Sequence, residues 1–66
     1  MGYRIKEVRE AKGMTQENLA IQSGISRGTI VALESGEAKT TTTKTLVKIA
    51  NALNTTVEDI FFAESV

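Results

Sequence analysis

The sequence contains no cysteine, no histidine and no proline. Without cysteine it cannot form disulfides, and without cysteine or histidine it lacks the common zinc ligands and any histidine-based catalysis. No apolar run approaches a membrane span, and the N-terminus does not resemble a signal peptide. No carboxylate pair in an evident pocket, metal constellation or phosphate-binding glycine loop stands out. We therefore expect a soluble cytoplasmic protein that is not an enzyme, with no catalytic residues, metal, cofactor, membrane partner or small-molecule ligand.

The chain has 66 residues, near the lower limit for a self-sufficient core. We expect residues 1–66 to form one domain. Its stability must come from apolar packing and helix caps, to which association with a second copy can add.

Helix signals along the chain predict an all-α fold of five helices. The predicted ranges are about residues 3–12, 16–22 and 27–35, a fourth helix from near residue 43, and a short fifth helix after residue 56. Hydroxyl residues that can cap a helix precede four of them: Thr15, Ser26, Thr42 and Thr56. Residues that favour a left-handed backbone follow four of them: Gly13, Gly24, Gly36 and Asn54. Thr56 and Asp59 have the spacing of a capping box.

Apolar residues recur at helical spacing and predict the core. In the first, fourth and fifth predicted helices, the residues expected to point into the core are Ile5, Val8, Leu46, Ile49, Ala50, Leu53, Ile60 and Phe61.

Residues 15–35 have the spacing of a helix-turn-helix. Small Ala20 lets two helices approach closely, and Gly24, four positions later, permits the sharp turn. Aliphatic residues follow that glycine at six and nine positions, and the apolar set that joins the pair is Leu19, Ile25, Ile30 and Leu33.

This segment resembles the Cro/repressor-type (XRE-like) helix-turn-helix family of bacterial and phage transcription regulators. The resemblance extends over about residues 4–61: residues 4–14 match the first helix and linker, 45–53 the fourth helix and 56–61 the fifth. It implies a five-helix lambda-repressor-like domain that binds double-stranded DNA sequence-specifically as a repressor or autoregulator. Through DNA such a protein is associated with the nucleoid.

The charge distribution fits this expectation although the formal net charge is zero. All eight basic residues lie between Arg4 and Lys48, whereas residues 1–57 contain five acidic ones, a surplus of three positive charges. Such a modest surplus suits a half-site binder acting as a homodimer on a palindromic operator better than a nonspecific DNA coat. Phe62 and Val66 are candidates for the dimer surface, although Phe62 could equally fold back on its own domain.

Helical geometry places Ile30 and Leu33 inward and one set of residues on the outer side of helix 3: Arg27, Gly28, Val31, Ala32 and Ser35. In the family this side lies in the major groove. Arg27 can read guanine with two hydrogen bonds, or it is a solvated arginine or a phosphate contact. Val31 and Ala32 can contact a thymine methyl, or they are isolated exposed aliphatics. Gly28 permits close approach to DNA or is a tolerated defect.

The resemblance also implies contacts to the DNA backbone. Gln16 corresponds to a family glutamine that holds a phosphate, with a surface glutamine as the alternative. Ser26 is chiefly a cap, with a phosphate contact as a secondary role, and the Thr29 hydroxyl faces either backbone or base. The residues expected along the flanking strand are Ser35, Lys39, Thr40, Thr42, Thr43 and Lys44.

Arg9 and Glu34 correspond to a buried ion pair of the family that fixes helix 3 against helix 1; a plain surface pair is the weaker interpretation. The alternative function is a protein-interaction or antitoxin-like module with the same fold. In that alternative Val31, Ala32 and the phenylalanine pair at 61–62 contact protein.

Overall fold

The computed structural model describes residues 3–38 and 40–61, in which all regular structure is α-helical. The elements in chain order are α1 (Ile5–Ala11), α2 (Gln16–Ser23), α3 (Arg27–Ser35), α4 (Thr43–Ala52) and α5 (Val57–Phe61). The predicted five-helix, all-α fold is therefore confirmed. Three predicted interface residues lie outside the described residues: Lys39, Phe62 and Val66. The longest helix in the described part has ten residues, too few to cross a bilayer.

Side-chain caps fix where the central helices begin. Thr15 accepts a hydrogen bond from the Asn18 amide at 3.0 Å, and Asn18 accepts in return from the Thr15 amide at 3.4 Å. Ser26 and Thr42 cap α3 and α4 in the same way, through the amides three residues later. Each cap satisfies an amide that has no partner within its helix, so the predicted start of α2, α3 and α4 is confirmed.

The turn between α2 and α3 depends on a left-handed backbone. Gly24 has φ of +73°, and its amide donates to the Ala20 carbonyl at 2.9 Å. A side chain at this φ is strained, so glycine is the residue that suits the turn. This geometry sets the angle at which α3 leaves α2.

One apolar cluster joins all five helices, and its buried members are Ile5, Leu19, Ile30, Leu33, Leu46, Ile49, Ala50, Leu53 and Ile60. The predicted stripe on α4 is therefore confirmed. Val8 and Ile25 are half-buried and pack at the edge of the cluster.

The ends of the domain differ from the prediction in two places. α1 begins at Ile5 rather than at residue 3, because the Arg4 amide donates to the Ile60 carbonyl at 2.8 Å and the preceding chain is tied to α5. Phe61 was expected in the core but is 42% exposed. Only Ile60 of the pair turns inward in this five-residue helix, and the Phe61 ring lies 5.8 Å from that of Tyr3.

Candidate nucleic-acid interface

One side of α3 packs into the core, and the other side is exposed to solvent. Ile30 and Leu33 are 0% and 1% exposed, whereas Arg27, Gly28 and Thr29 are exposed together on the first turn. Val31, one turn further along, is 38% exposed. The helix therefore presents a continuous outer surface whose geometry is fixed by the core behind it.

Ala32 departs from the expected outward placement, since it is half-buried. Its carbonyl accepts a hydrogen bond from the Ala38 amide at 3.0 Å, and Ala38 itself packs against the core. The chain after α3 thereby turns back to the last turn of this helix. Ala32 consequently offers less surface than Val31.

A shallow open depression lies between the first turns of α2 and α3. Its lining includes Thr15 and Gln16 of the α2 start and Arg27 of the α3 start. The sequence suggested separate roles for Gln16 and Arg27, and the structure places both on this one depression. The free amides of the first α2 turn lie at the same end of that helix.

Ser26 and Thr29 hydrogen-bond to each other at the start of α3. The Ser26 hydroxyl accepts from the Thr29 amide at 3.3 Å and donates to the Thr29 hydroxyl oxygen at 2.9 Å. Thr29 accepts in that bond, so its own hydroxyl hydrogen remains available to an outside acceptor. The hydrogen of Ser26, in contrast, is used within the cap.

Ser35 has a comparable local use at the end of α3. Its hydroxyl donates to the Ala32 carbonyl at 3.2 Å and accepts from the Glu37 amide at 3.3 Å. Since a hydroxyl has one hydrogen to donate, Ser35 cannot donate to a phosphate without giving up the Ala32 bond.

Hydroxyl side chains also surround the start of α4. Thr40, Thr42 and Thr43 are exposed, as is Lys44. Thr42 caps α4 by accepting from the Thr45 amide at 3.1 Å, and it donates to the Thr45 hydroxyl oxygen at 3.0 Å. Thr43 and Lys44 thus lie at the positively polarised end of a ten-residue helix.

Behind the exposed surface, a buried ion pair joins α1 to α3. Arg9 Nε lies 2.7 Å from Glu34 Oε2, and Arg9 Nη2 lies 3.1 Å from Glu34 Oε1. The two side chains are only 9% and 4% exposed. The hydrogen bonds to Glu34 raise the pKa of the Arg9 guanidinium above its ordinary value, although burial opposes this. The third guanidinium nitrogen, Nη1, donates to the Met14 carbonyl at 2.7 Å and fixes the linker before α2.

Gln16 joins the same network, a contact that the sequence did not indicate. Its Nε2 donates to Glu34 Oε1 at 3.0 Å. The two residues are 18 positions apart, so no helical spacing could have revealed the contact. Gln16, at the start of α2, is therefore hydrogen-bonded to the buried ion pair.

Two short helices joined at a left-handed glycine, the second with an exposed outer surface, define a helix-turn-helix domain. The chain matches the family described as Helix-turn-helix over residues 5–60. Over 61 residues it is 48% identical to an uncharacterised HTH-type transcriptional regulator of Archaeoglobus fulgidus, covering 92% of this chain and 84% of that protein.

Two further comparisons agree with this match. The chain is 39% identical over 64 residues to an uncharacterised HTH-type transcriptional regulator of Methanocaldococcus jannaschii, covering 97% of this chain and 96% of that one. Among solved structures, the restriction-modification controller protein C.AhdI from Aeromonas hydrophila is similar, with a TM-score of 0.82, 34% identity, and coverage of 88% and 86%. The chain belongs to the XRE-type family of helix-turn-helix transcriptional regulators.

Proposed function

We propose that this protein binds double-stranded DNA sequence-specifically, with α3 in the major groove, and represses transcription, including that of its own operon. The observation that carries the proposal is the first turn of α3. Arg27, Gly28 and Thr29 are exposed together there, while Ile30 and Leu33 anchor the same helix in the core. An α-helix fits the major groove of B-DNA, so a helix anchored on one side can present the other to base edges.

Base reading is assigned chiefly to Arg27. Its planar guanidinium can donate two hydrogen bonds to O6 and N7 of guanine, which is worth about 1–3 kcal/mol of discrimination. Val31, exposed one turn later, can contact a thymine methyl group. Gly28 lies between them and permits close approach of the helix backbone.

Phosphate contacts are assigned to the residues that flank this surface. Gln16 and the free amides of the first α2 turn would hold one phosphate, beside Arg27. The Thr29 hydroxyl hydrogen is available to a second phosphate. Thr43 and Lys44 at the start of α4 would contact the flanking strand.

We further propose that two copies act together on a palindromic operator. A single α3 can read only a few base pairs, and symmetric reading requires recognition helices about 34 Å apart, one turn of duplex. Phe62 and Val66 are proposed for the contact between copies.

Selection of bound fragments from a random DNA pool tests the proposal. The expected outcome is one palindromic sequence, bound with an affinity that falls steeply as salt rises, because released counterions drive the phosphate contacts. When the selected operator is placed before a reporter gene, the protein should lower expression of that gene. Lys48→Ala removes an exposed cation from the groove between α2 and α4 and serves as a control that retains affinity.

The competing function, a protein-interaction module, is favoured by the exposed side chains of Ile21 and Val31. It predicts that no sequence is enriched from the pool. Enrichment with weak salt dependence would also contradict the proposed phosphate contacts.

A further inference from the structure

The Glu34 carboxylate accepts more hydrogen bonds than its ion pair requires. Arg9 occupies both carboxylate oxygens, at 2.7 and 3.1 Å, and supplies the opposite charge. Gln16 Nε2 adds a third hydrogen bond at 3.0 Å, to Oε1. The Gln16 side chain thus reaches from the surface depression that it shares with Arg27 to a side chain only 4% exposed.

The hydrogen bond to Glu34 determines which end of the Gln16 amide can bind another molecule. A glutamine amide carries two hydrogens on Nε2 and an acceptor oxygen, Oε1, at the other end. A carboxylate only accepts, so Glu34 binds the nitrogen end and disfavours the flipped orientation. One N–H is then used by Glu34, and the second N–H of the same nitrogen remains.

A phosphate also only accepts hydrogen bonds, so it needs that remaining N–H. A free glutamine terminus rotates broadly about its last torsion and presents oxygen as readily as nitrogen. Fixing the amide before binding removes the ordering cost of a flexible side chain, and pre-organisation of this kind raises affinity.

We infer that Glu34 is a positioning residue for DNA binding: its carboxylate orients the Gln16 amide so that the free N–H can donate to a phosphate. The inference rests on the proposed function. It links the buried pair between α1 and α3 to an atom that contacts DNA, so that Glu34 contributes to affinity as well as to folding.

A double-mutant cycle on operator affinity tests the inference, with binding measured on folded protein. Gln16→Ala should weaken binding about three- to tenfold on every sequence, as expected for one lost hydrogen bond. Glu34→Gln should weaken binding by a similar factor relative to Glu7→Gln, which removes the same charge from an exposed pair on α1. In the Gln16→Ala background, Glu34→Gln should have no further effect beyond that of the charge control.

Three outcomes would overturn the inference. If Glu34→Gln weakens binding of the folded protein equally with and without Gln16, Glu34 does not act through the Gln16 amide. If Gln16→Ala leaves affinity unchanged while the wild type binds, the phosphate contact itself is absent and the proposed function stands. If the wild type selects no DNA, the proposed function fails as well.

Because Glu34→Gln disrupts a buried pair and can prevent folding, a measurement on the wild type is needed beside it. NMR of the ¹⁵N-labelled protein resolves the two side-chain amide protons of Gln16. One should exchange with solvent more slowly than those of Gln22, an exposed glutamine of the same helix, and the other should shift when operator is added. Exchange of both Gln16 protons at the rate of Gln22 would contradict the inference.

Discussion

Arg9 of α1 and Glu34 of α3 are joined by two hydrogen bonds, of 2.7 and 3.1 Å, across 25 residues of sequence. The pair lies behind the exposed surface of α3, and its side chains are almost completely buried. Charges removed from water gain little net stability from pairing, but a lone buried charge is costly. The orientation of α3 therefore depends on both partners being present.

Arg9→Met should lower the free energy of unfolding by about 3–5 kcal/mol, because Glu34 loses its countercharge in a buried site. The double substitution Arg9→Met with Glu34→Leu should recover most of that loss, since no charge is then left unpaired. Urea unfolding of the DNA-free protein measures both. Arg4→Met is the matched control: Arg4 also makes a 2.7 Å contact, with Glu7, but the pair is exposed and should contribute no more than about 1 kcal/mol. If Arg4→Met lowered the free energy of unfolding as much as Arg9→Met, burial would not be the reason for the large effect at Arg9.

Arg27→Ala should cost about 1–3 kcal/mol of operator affinity and relax the base preference at one position in each half-site. The base preference is lost at one position because the Arg27 guanidinium would donate both of its hydrogen bonds to a single guanine. Affinities for a panel of single-base operator variants measure this, with Lys48→Ala as the exposed-cation control. Equal loss on every sequence, together with a smaller salt slope, would instead make Arg27 a phosphate contact.

Gly28→Ala should raise stability and lower operator affinity. A Cβ at residue 28 meets nothing within 4 Å, and the backbone there is not left-handed, so the fold does not require glycine. Alanine in a helix is favoured over glycine by roughly 1 kcal/mol. The added methyl group should nonetheless hinder close approach of α3 to DNA. Gly36→Ala is the contrasting control for stability: it should destabilise the fold, since φ of +86° makes alanine strained there. Higher stability with unchanged affinity would identify Gly28 as a tolerated defect.

The stability of the C-terminal end should depend on pH through Asp59. Hydrogen bonds from the Thr55 hydroxyl, at 2.6 Å, and from Thr56 hold the pKa of Asp59 below its ordinary value. A carboxyl with a lower pKa in the folded than in the unfolded state stabilises the fold above about pH 4, and this contribution is lost as pH falls through the folded pKa. Melting temperatures of wild type and Asp59→Asn should therefore differ at neutral pH and converge in acid. A difference that stays constant with pH would contradict this assignment.

Local signals in the sequence predicted the central helices well. α3 was expected over residues 27–35 and is observed at Arg27–Ser35, because Ser26 caps its start and Gly36 takes the left-handed conformation after its end. The predicted α1 began two residues too early. The Arg4 amide is held by the Ile60 carbonyl, and nothing near Arg4 in the sequence indicates a partner so far along the chain. Phe61 was misplaced because a five-residue helix is too short for periodicity to fix its phase.

The candidate site was less predictable than the fold. Resemblance to a family suggested both that Arg9 faces Glu34 and that Gln16 contacts phosphate. It did not suggest that Gln16 and Glu34 hydrogen-bond to each other, because that contact depends on side-chain rotamers rather than on residue types. Ala32 was expected to face outward by helical geometry but is half-buried, and helical geometry alone does not include the later chain, whose Ala38 amide returns to the Ala32 carbonyl.

NMR mapping of the ¹⁵N-labelled protein as operator is added tests the proposed DNA-binding surface most directly. If α3 enters the groove, the largest amide shifts should lie at Gln16 and along Arg27, Gly28 and Thr29, while the outer face of α1, at Lys6 and Glu10, stays unchanged. Shifts concentrated on that face of α1, with the first turn of α3 unaffected, would contradict the proposed DNA-binding surface.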